Sequence, residues 1–302
     1  MASQSMNTLG LTKAGVNKVY RVESESSRQA WSEWGPEVGT KEEFYRVKII
    51  TGFANMTVVN EGSPVPTDSK VALYTPDFYP LKYAKAYEPT LEAEETDFYG
   101  EVMNQAPSMV NSYRRAMNKD ACNRFANNGF DSNYTIYDGQ KLYSTAHPGI
   151  TGITGANTPT TPRAFGSLAV EAALQDIMAQ TDPRGEPLEM ELGHRLMVGT
   201  GLAGVANRVV TATGLAQTAD NDPNWGGGQI RGISVQQNIS SQTAYFFVPA
   251  NSADHGYRML RRKKFFTKYG EEIRTLKKLF VCGGEFLAIV TSWYGTYGDP
   301  GV

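Results

Sequence analysis

The chain has 302 residues, 40 % apolar and 20 % charged, which is the composition of a folded protein and excludes disorder throughout. A formal net charge of −2 excludes a protein whose whole surface grips nucleic acid. Two cysteines, Cys122 and Cys282, are too few for a disulfide framework or a zinc cluster; they read as small buried apolar residues, with a single bridge between them left open. The first fifteen residues hold no apolar stretch suited to a signal peptide, and no window of about 18 apolar residues exists, so the expectation is a chain that folds in a cytoplasm and meets no membrane.

Residues 1–43 keep no sustained period and are dominated by Ser, Asn, Gln and Glu. Trp31 and Trp34 stand near the end of this stretch. Two exposed indoles are costly in water, so the segment is expected to dock on the subunit's own body or on a neighbour. From Phe44 the pattern alternates: Tyr45, Val47 and Ile49 fall on one face, Arg46 and Lys48 on the other, which predicts a half-buried strand as far as Val59. Asn60 to Ser69, with Gly62, Pro64 and Pro66, predicts a polar turn. The chain then returns through Tyr79, Leu81, Tyr83 and Tyr87, which alternate with Pro80, Lys82, Ala84 and Ala86. Residues 44–88 therefore read as a long two-stranded arm. Such a ribbon is marginal alone, so its apolar face calls for a partner.

Tyr99, Val102, Met103, Ala106, Met109, Val110, Tyr113, Ala116, Met117 and Phe125 recur at three- and four-residue steps, predicting a helix over about 97–127. Pro107 should kink or split it, and Asn127-Asn128-Gly129 should close it with a left-handed cap. Residues 134–161 read as loop with a short strand. A second amphipathic helix follows over 167–180, with Leu168, Leu174, Ile177 and Met178 as its apolar stripe. Strands are expected at 192–198, 230–235, 245–248 and through the closing run 276–297, with a short helix at 202–210. Lacking a regular βαβ repeat, the class is α+β.

Three features bear on chemistry. Gly199-Thr200-Gly201-Leu202-Ala203-Gly204 matches a dinucleotide fingerprint between a strand and a helix, and Asp220 lies beyond it. The intervening residues 211–217 lack the pattern of a second buried strand, so a tight strand-to-helix turn is preferred. A nucleotide-binding or hydrolytic enzyme centred on residues 194–222 is the rival function. His147, His194 and His255 have neither metal-ligand spacing nor the partners of a nucleophilic triad. No catalytic residue, cofactor or metal is expected. Finally, a basic run from Arg258 to Lys278, including Arg261, Arg262 and Lys264, is matched by an acidic stretch from Glu88 to Glu101 that includes Glu92, Glu94 and Glu95. Opposite charges segregated on one chain suit pairing between subunits; a phosphate-facing surface and a solvated face are the alternatives.

The order of these elements resembles that of tailed-bacteriophage major capsid proteins of the Hong Kong 97-like fold. Asp138-Gly139-Gln140-Lys141-Leu142-Tyr143-Ser144-Thr145-Ala146-His147-Pro148 is similar to a stretch common in one broad group of them. Asp182-Pro183-Arg184-Gly185-Glu186-Pro187-Leu188 and Trp293-Tyr294-Gly295-Thr296-Tyr297-Gly298 resemble two further stretches of that group. The resemblance implies an N-arm over 1–43 and an E-loop over 44–88. It implies a peripheral domain over 89–160 and 255–283 that carries the spine helix, and an axial domain over 161–254 and 284–302. It also implies a non-enzymatic shell subunit that assembles with itself, as pentamers and hexamers, into an icosahedral head around double-stranded DNA. Expected partners are a portal, a separate scaffolding protein, and DNA bound without sequence preference on the inner face, with the presence of a decoration protein left open. Gly62, Pro64 and Pro66 at the arm tip, and the charged residues Glu92, Glu94, Glu95, Arg261, Arg262 and Lys264, are the candidate assembly residues. The protein is expected in the virion, after assembly in the host cytoplasm.

Overall fold

The computed structural model describes residues 29–302 apart from 91, 93–95, 97–104, 151, 191, 215–221, 252–254 and 273–276. Two four-stranded sheets, each carrying a helix on one face, hold the core.

The first sheet has the order β1-β12-β13-β6. Strands β12 (Tyr257–Glu272) and β13 (Lys277–Val290) run antiparallel along their length, from Tyr257 opposite Val290 to Glu272 opposite Lys277. On the outer edges, β6 (Leu81–Tyr87) pairs antiparallel with β13, and β1 (Glu37–Gly39) pairs parallel with β12. The basic run of the sequence is therefore mostly a strand. Its periodicity is masked because both faces are covered: Tyr257 and Met259 enter the main core, while Leu260 packs on the opposite face with Val38, Tyr45 and Phe78.

Helix α1 (Ala106–Cys122) lies on this sheet and contributes Tyr113, Met117, Ala121 and Cys122 to a core shared with Phe286 and Ala288. Pro107 does not kink the described helix. It sits in the first turn, where its missing N–H has no partner to lose and its fixed φ suits entry. The expected residues 97–104 lie outside the described ones. Nor is there a left-handed cap: the helix widens into a π-turn over Asn123–Asn127 and ends at Asn128 with φ −96°. Gly129 is there for space instead, since a Cβ would stand 2.6 Å from the ring of Tyr143.

The second sheet has the order β10-β9-β11-β14. Strands β9 (His194–Val198) and β10 (Ile230–Val235) are parallel, joined through α3 (Ala203–Thr211) and the short α4 (Trp225–Gly228). Strands β11 (Tyr245–Pro249) and β14 (Tyr297–Asp299) complete it antiparallel. Helix α2 (Ser167–Met178) packs beside it through Ala169, Val170, Ala173, Leu174 and Ile177, against Leu196, Val198, Tyr245 and Phe247. The seated stripe is rotated from the expected one. Leu168 is 73 % exposed and Met178 43 %, because small residues at 169 and 173 let the helix lie close to its neighbours.

The arm is a ribbon only at its base, where β2 (Tyr45–Arg46) pairs with β5 (Asp77–Phe78) and β3 (Ile49–Ile50) with β4 (Ala72–Tyr74). Residues 52–72 are exposed throughout. The strand expected to reach Val59 stops at Ile50, and β6 belongs to the first sheet, where Tyr83 stacks on Phe286 at 4.2 Å. Trp31 and Trp34 dock on the subunit's own body, with Trp34 against Phe125, Phe246 and Tyr257.

Candidate assembly surfaces

The arm tip presents Gly62, Pro64 and Pro66 to solvent, and Gly62 turns the chain at φ +83°. Around them Phe53, Met56, Val58 and Val65 are also exposed, Met56 and Val58 fully so. So many uncovered apolar side chains on one thin element make a surface that calls for a partner.

The charged candidates divide. Glu92 is exposed, and Glu94 and Glu95 lie outside the described residues. Arg261 is not a surface cation: its side chain is 8 % exposed, pairs with Glu37 at 3.1 Å and lies over the ring of Trp31. Arg262 pairs with Glu285 at 3.2 Å, and Lys263 shares that carboxylate at 3.0 Å. Both arginines are thus committed within their own chain. Lys264 and Lys268, by contrast, are exposed. Sequence reasoning missed Glu37 and Glu285 as partners, since 224 and 23 residues separate them from the arginines they meet.

The glycine turn after β9 packs against its own chain. A Cβ on Gly199 would stand 2.8 Å from the carbonyl oxygen of Ser241, and Gly201 is crowded by Gln242. These two glycines are thus accounted for by close packing on the chain's own 241–242 segment, and Asp220 lies outside the described residues. His194 donates through Nε2 to the carbonyl of Gly295 at 2.9 Å. Buried His255 accepts the Tyr257 N–H, and burial lowers its pKa to about 4, helped by Arg258 and His194 nearby. Among the described residues no cluster of His, Cys, Asp and Glu could hold a metal, and no helix is long and apolar enough to cross a membrane.

The profile of the family described as phage capsid protein matches residues 74–301. The chain belongs to that family. It is a major capsid protein, a structural subunit and not an enzyme. No curated protein matches the sequence. Solved structures share the fold. The capsid of a native GTA particle matches with a TM-score of 0.56 at 11 % identity, over 90 % of this chain and 89 % of that one. A chain from Mycobacterium phage Che8 matches with a TM-score of 0.52 at 8 % identity, over 85 % and 84 %. An encapsulin from Synechococcus elongatus matches with a TM-score of 0.54 at 7 % identity, over 91 % and 88 %. The α+β capsid fold expected from the sequence is the fold observed.

In this capsid protein the 138–148 stretch has a packing role. The Asn157 amide is oriented by two backbone groups, accepting the Ser144 N–H at 2.9 Å and donating to the Leu142 carbonyl. Its oxygen then accepts Nε2–H of His147 at 3.1 Å, while Nδ1 lies 2.6 Å from Asp138. Asn157 and Trp293 complete the cluster, and no local spacing announces either.

Proposed function

We propose that this capsid protein closes a shell as pentamers and hexamers of itself, forming an icosahedral head around double-stranded DNA. The exposed apolar arm tip carries this reading. A closed shell of identical chains needs elements that lap over neighbours, and a ribbon bearing Met56, Val58 and Val65 in solvent satisfies that need. In this assignment residues 1–43 are the N-arm and 44–88 the E-loop. The peripheral domain comprises 89–160 and 255–283, and the axial domain 161–254 and 284–302. Strand β13 runs unbroken across residue 283 and ties the two together. A portal and a separate scaffolding protein are assigned as partners, with DNA contacting the inner face without sequence preference and assembly in the host cytoplasm.

The acidic stretch around Glu92, Glu94 and Glu95 is assigned to meet the basic strand of a neighbour through Lys264 and Lys268, because Arg261 and Arg262 are committed in their own chain. Reversing both lysines should block assembly. Normal empty shells from that variant, with DNA filling alone impaired, would assign the lysines to the genome.

The principal test is deletion of residues 56–67 with a short Gly-Ser replacement. The wild-type chain should yield closed particles by negative-stain microscopy, and the tip-less chain folded but small oligomers. Closed shells of normal size from the tip-less chain would refute the lapping role.

A further inference from the structure

Residues 182–186 form a turn locked from within. Asp182 accepts the backbone N–H groups of Arg184 and Glu186 through one oxygen, at 2.8 and 2.9 Å, and its own N–H donates to the Glu186 carbonyl at 2.8 Å. Gly185 supplies φ +88°, and the Ile150 N–H donates to the Pro183 carbonyl at 2.8 Å. Two charged side chains leave this rigid base, and both reach the arm. Arg184 donates to the Ser69 carbonyl at 2.8 Å and to Asp68 at 3.3 Å. Glu186 accepts from the side-chain amide of Asn55 at 2.6 Å. At the same level the two limbs of the arm are tied together, since the Ala54 N–H donates to Asp68 at 2.8 Å.

We propose that this turn is a clamp that grips both limbs of the arm within one subunit and sets the angle at which segment 56–67 is offered to a neighbouring copy. Beyond Ile50 and Ala72 the arm has no strand ladder. One further rung joins the limbs, the Thr51 N–H donating to the Val71 carbonyl at 2.9 Å and the Val71 N–H to the Thr51 hydroxyl at 3.1 Å; past it, the contacts at 54–55 and 68–69 are the hydrogen bonds that tie the arm to the turn. A single exposed ion pair would be weak, but charge-assisted bonds to both limbs from one pre-formed turn cost little further ordering. The tip beyond residue 55 stays outside the grip, so the clamp fixes direction without covering the apolar contact surface.

The angle-setting role rests on the self-assembly reading, but the grip itself is testable on the unassembled chain. Spin labels at Ser63→Cys and Gln175→Cys report the arm-to-body distance, since Cys122 and Cys282 are buried and would remain unlabelled. The expected result is a narrow distance distribution for the otherwise unaltered chain, a broadened one for Asp68→Arg or Arg184→Asp, and an intermediate width for the charge-swapped double variant, which restores the ion pair but not the bonds to the Ser69 carbonyl and the Ala54 N–H. Unchanged widths in the single variants would overturn the clamp, even if shells form normally. Conversely, a chain that never forms shells but shows this pattern keeps the clamp and loses the shell reading. In shells, each single variant should show a several-fold loss of closed particles, with partial recovery in the swap. Co-expressing the two single variants separates cis from trans. Recovery by the mixture would mean that Asp68 and Arg184 pair between subunits, and would overturn the intrachain clamp; continued loss is the result expected.

Discussion

The imidazole of His147 lies flat on the indole of Trp293, ring centroids 4.3 Å apart and planes 14° from parallel. This contact joins two sequence stretches far apart in the chain, and Asp138 and Asn157 close the cluster around the ring. The side chains of His147 and Asp138 are 0 % and 1 % exposed. Removing the imidazole would leave a buried carboxylate without its partner. His147→Ala should therefore destabilise the unassembled subunit by about 3–5 kcal/mol, the usual cost of breaking a buried pair from one side. Urea unfolding checks it; a loss below about 1 kcal/mol would show that the cluster is not a structural keystone.

Gly298 illustrates the same neighbourhood by shape. A Cβ there would stand 2.7 Å from the ring of Tyr143. That ring cannot retreat, because its hydroxyl donates to the Phe125 carbonyl at 2.8 Å and accepts from Tyr257 at 3.0 Å. Gly298→Ala should cost about 1–3 kcal/mol by overpacking, read as a lowered thermal midpoint. A midpoint equal to wild type would mean the ring has room to move.

Acid should weaken the subunit through His255. Its folded pKa is lowered to about 4, whereas an unfolded imidazole titrates near 6.5. Between these values the unfolded chain binds a proton that the folded chain refuses. Stability is then complete above about pH 6.5 and declines as pH falls through the window toward 4. The size is roughly 3 kcal/mol at about 1.36 kcal/mol per pKa unit. Comparing urea midpoints of wild type and His255→Asn at several pH values in that window isolates the contribution. Equal pH slopes would assign the acid sensitivity to other groups.

Arg261 and Lys264 should behave oppositely on charge reversal, although three residues apart on one strand. Arg261→Glu would place a carboxylate beside Glu37 in the buried site under Trp31, and should cost about 3–5 kcal/mol. Lys264→Glu alters an exposed position and should stay within about 0.5 kcal/mol. Denaturant unfolding of both subunits decides the matter. A stable Arg261→Glu subunit would mean that the ion pair with Glu37 contributes little.

Local signals were legible where one face of an element meets solvent or where an apolar run is continuous. Helix α2, strands β9, β10 and β11, and the exposed arm tip around Gly62, Pro64 and Pro66 all announce themselves this way, and so do the three stretches that resemble capsid subunits. Strand β12 did not, because its Leu260 face is covered by Val38, Tyr45 and Phe78 and its charges mask the remaining alternation. The two tryptophans demanded a cover, but only the packed chain shows that Phe125, Phe246 and Tyr257 provide it for Trp34. Charge was the least legible property. Composition places nine basic residues between Arg258 and Lys278 without distinguishing Arg261, committed to Glu37, from Lys264, exposed to solvent. Periodicity records how much of a residue is covered along its own element; it does not record which distant residue does the covering. The pairings of Arg261 with Glu37, Arg184 with Asp68 and His147 with Trp293 join positions separated by many elements, so only the tertiary structure could decide them.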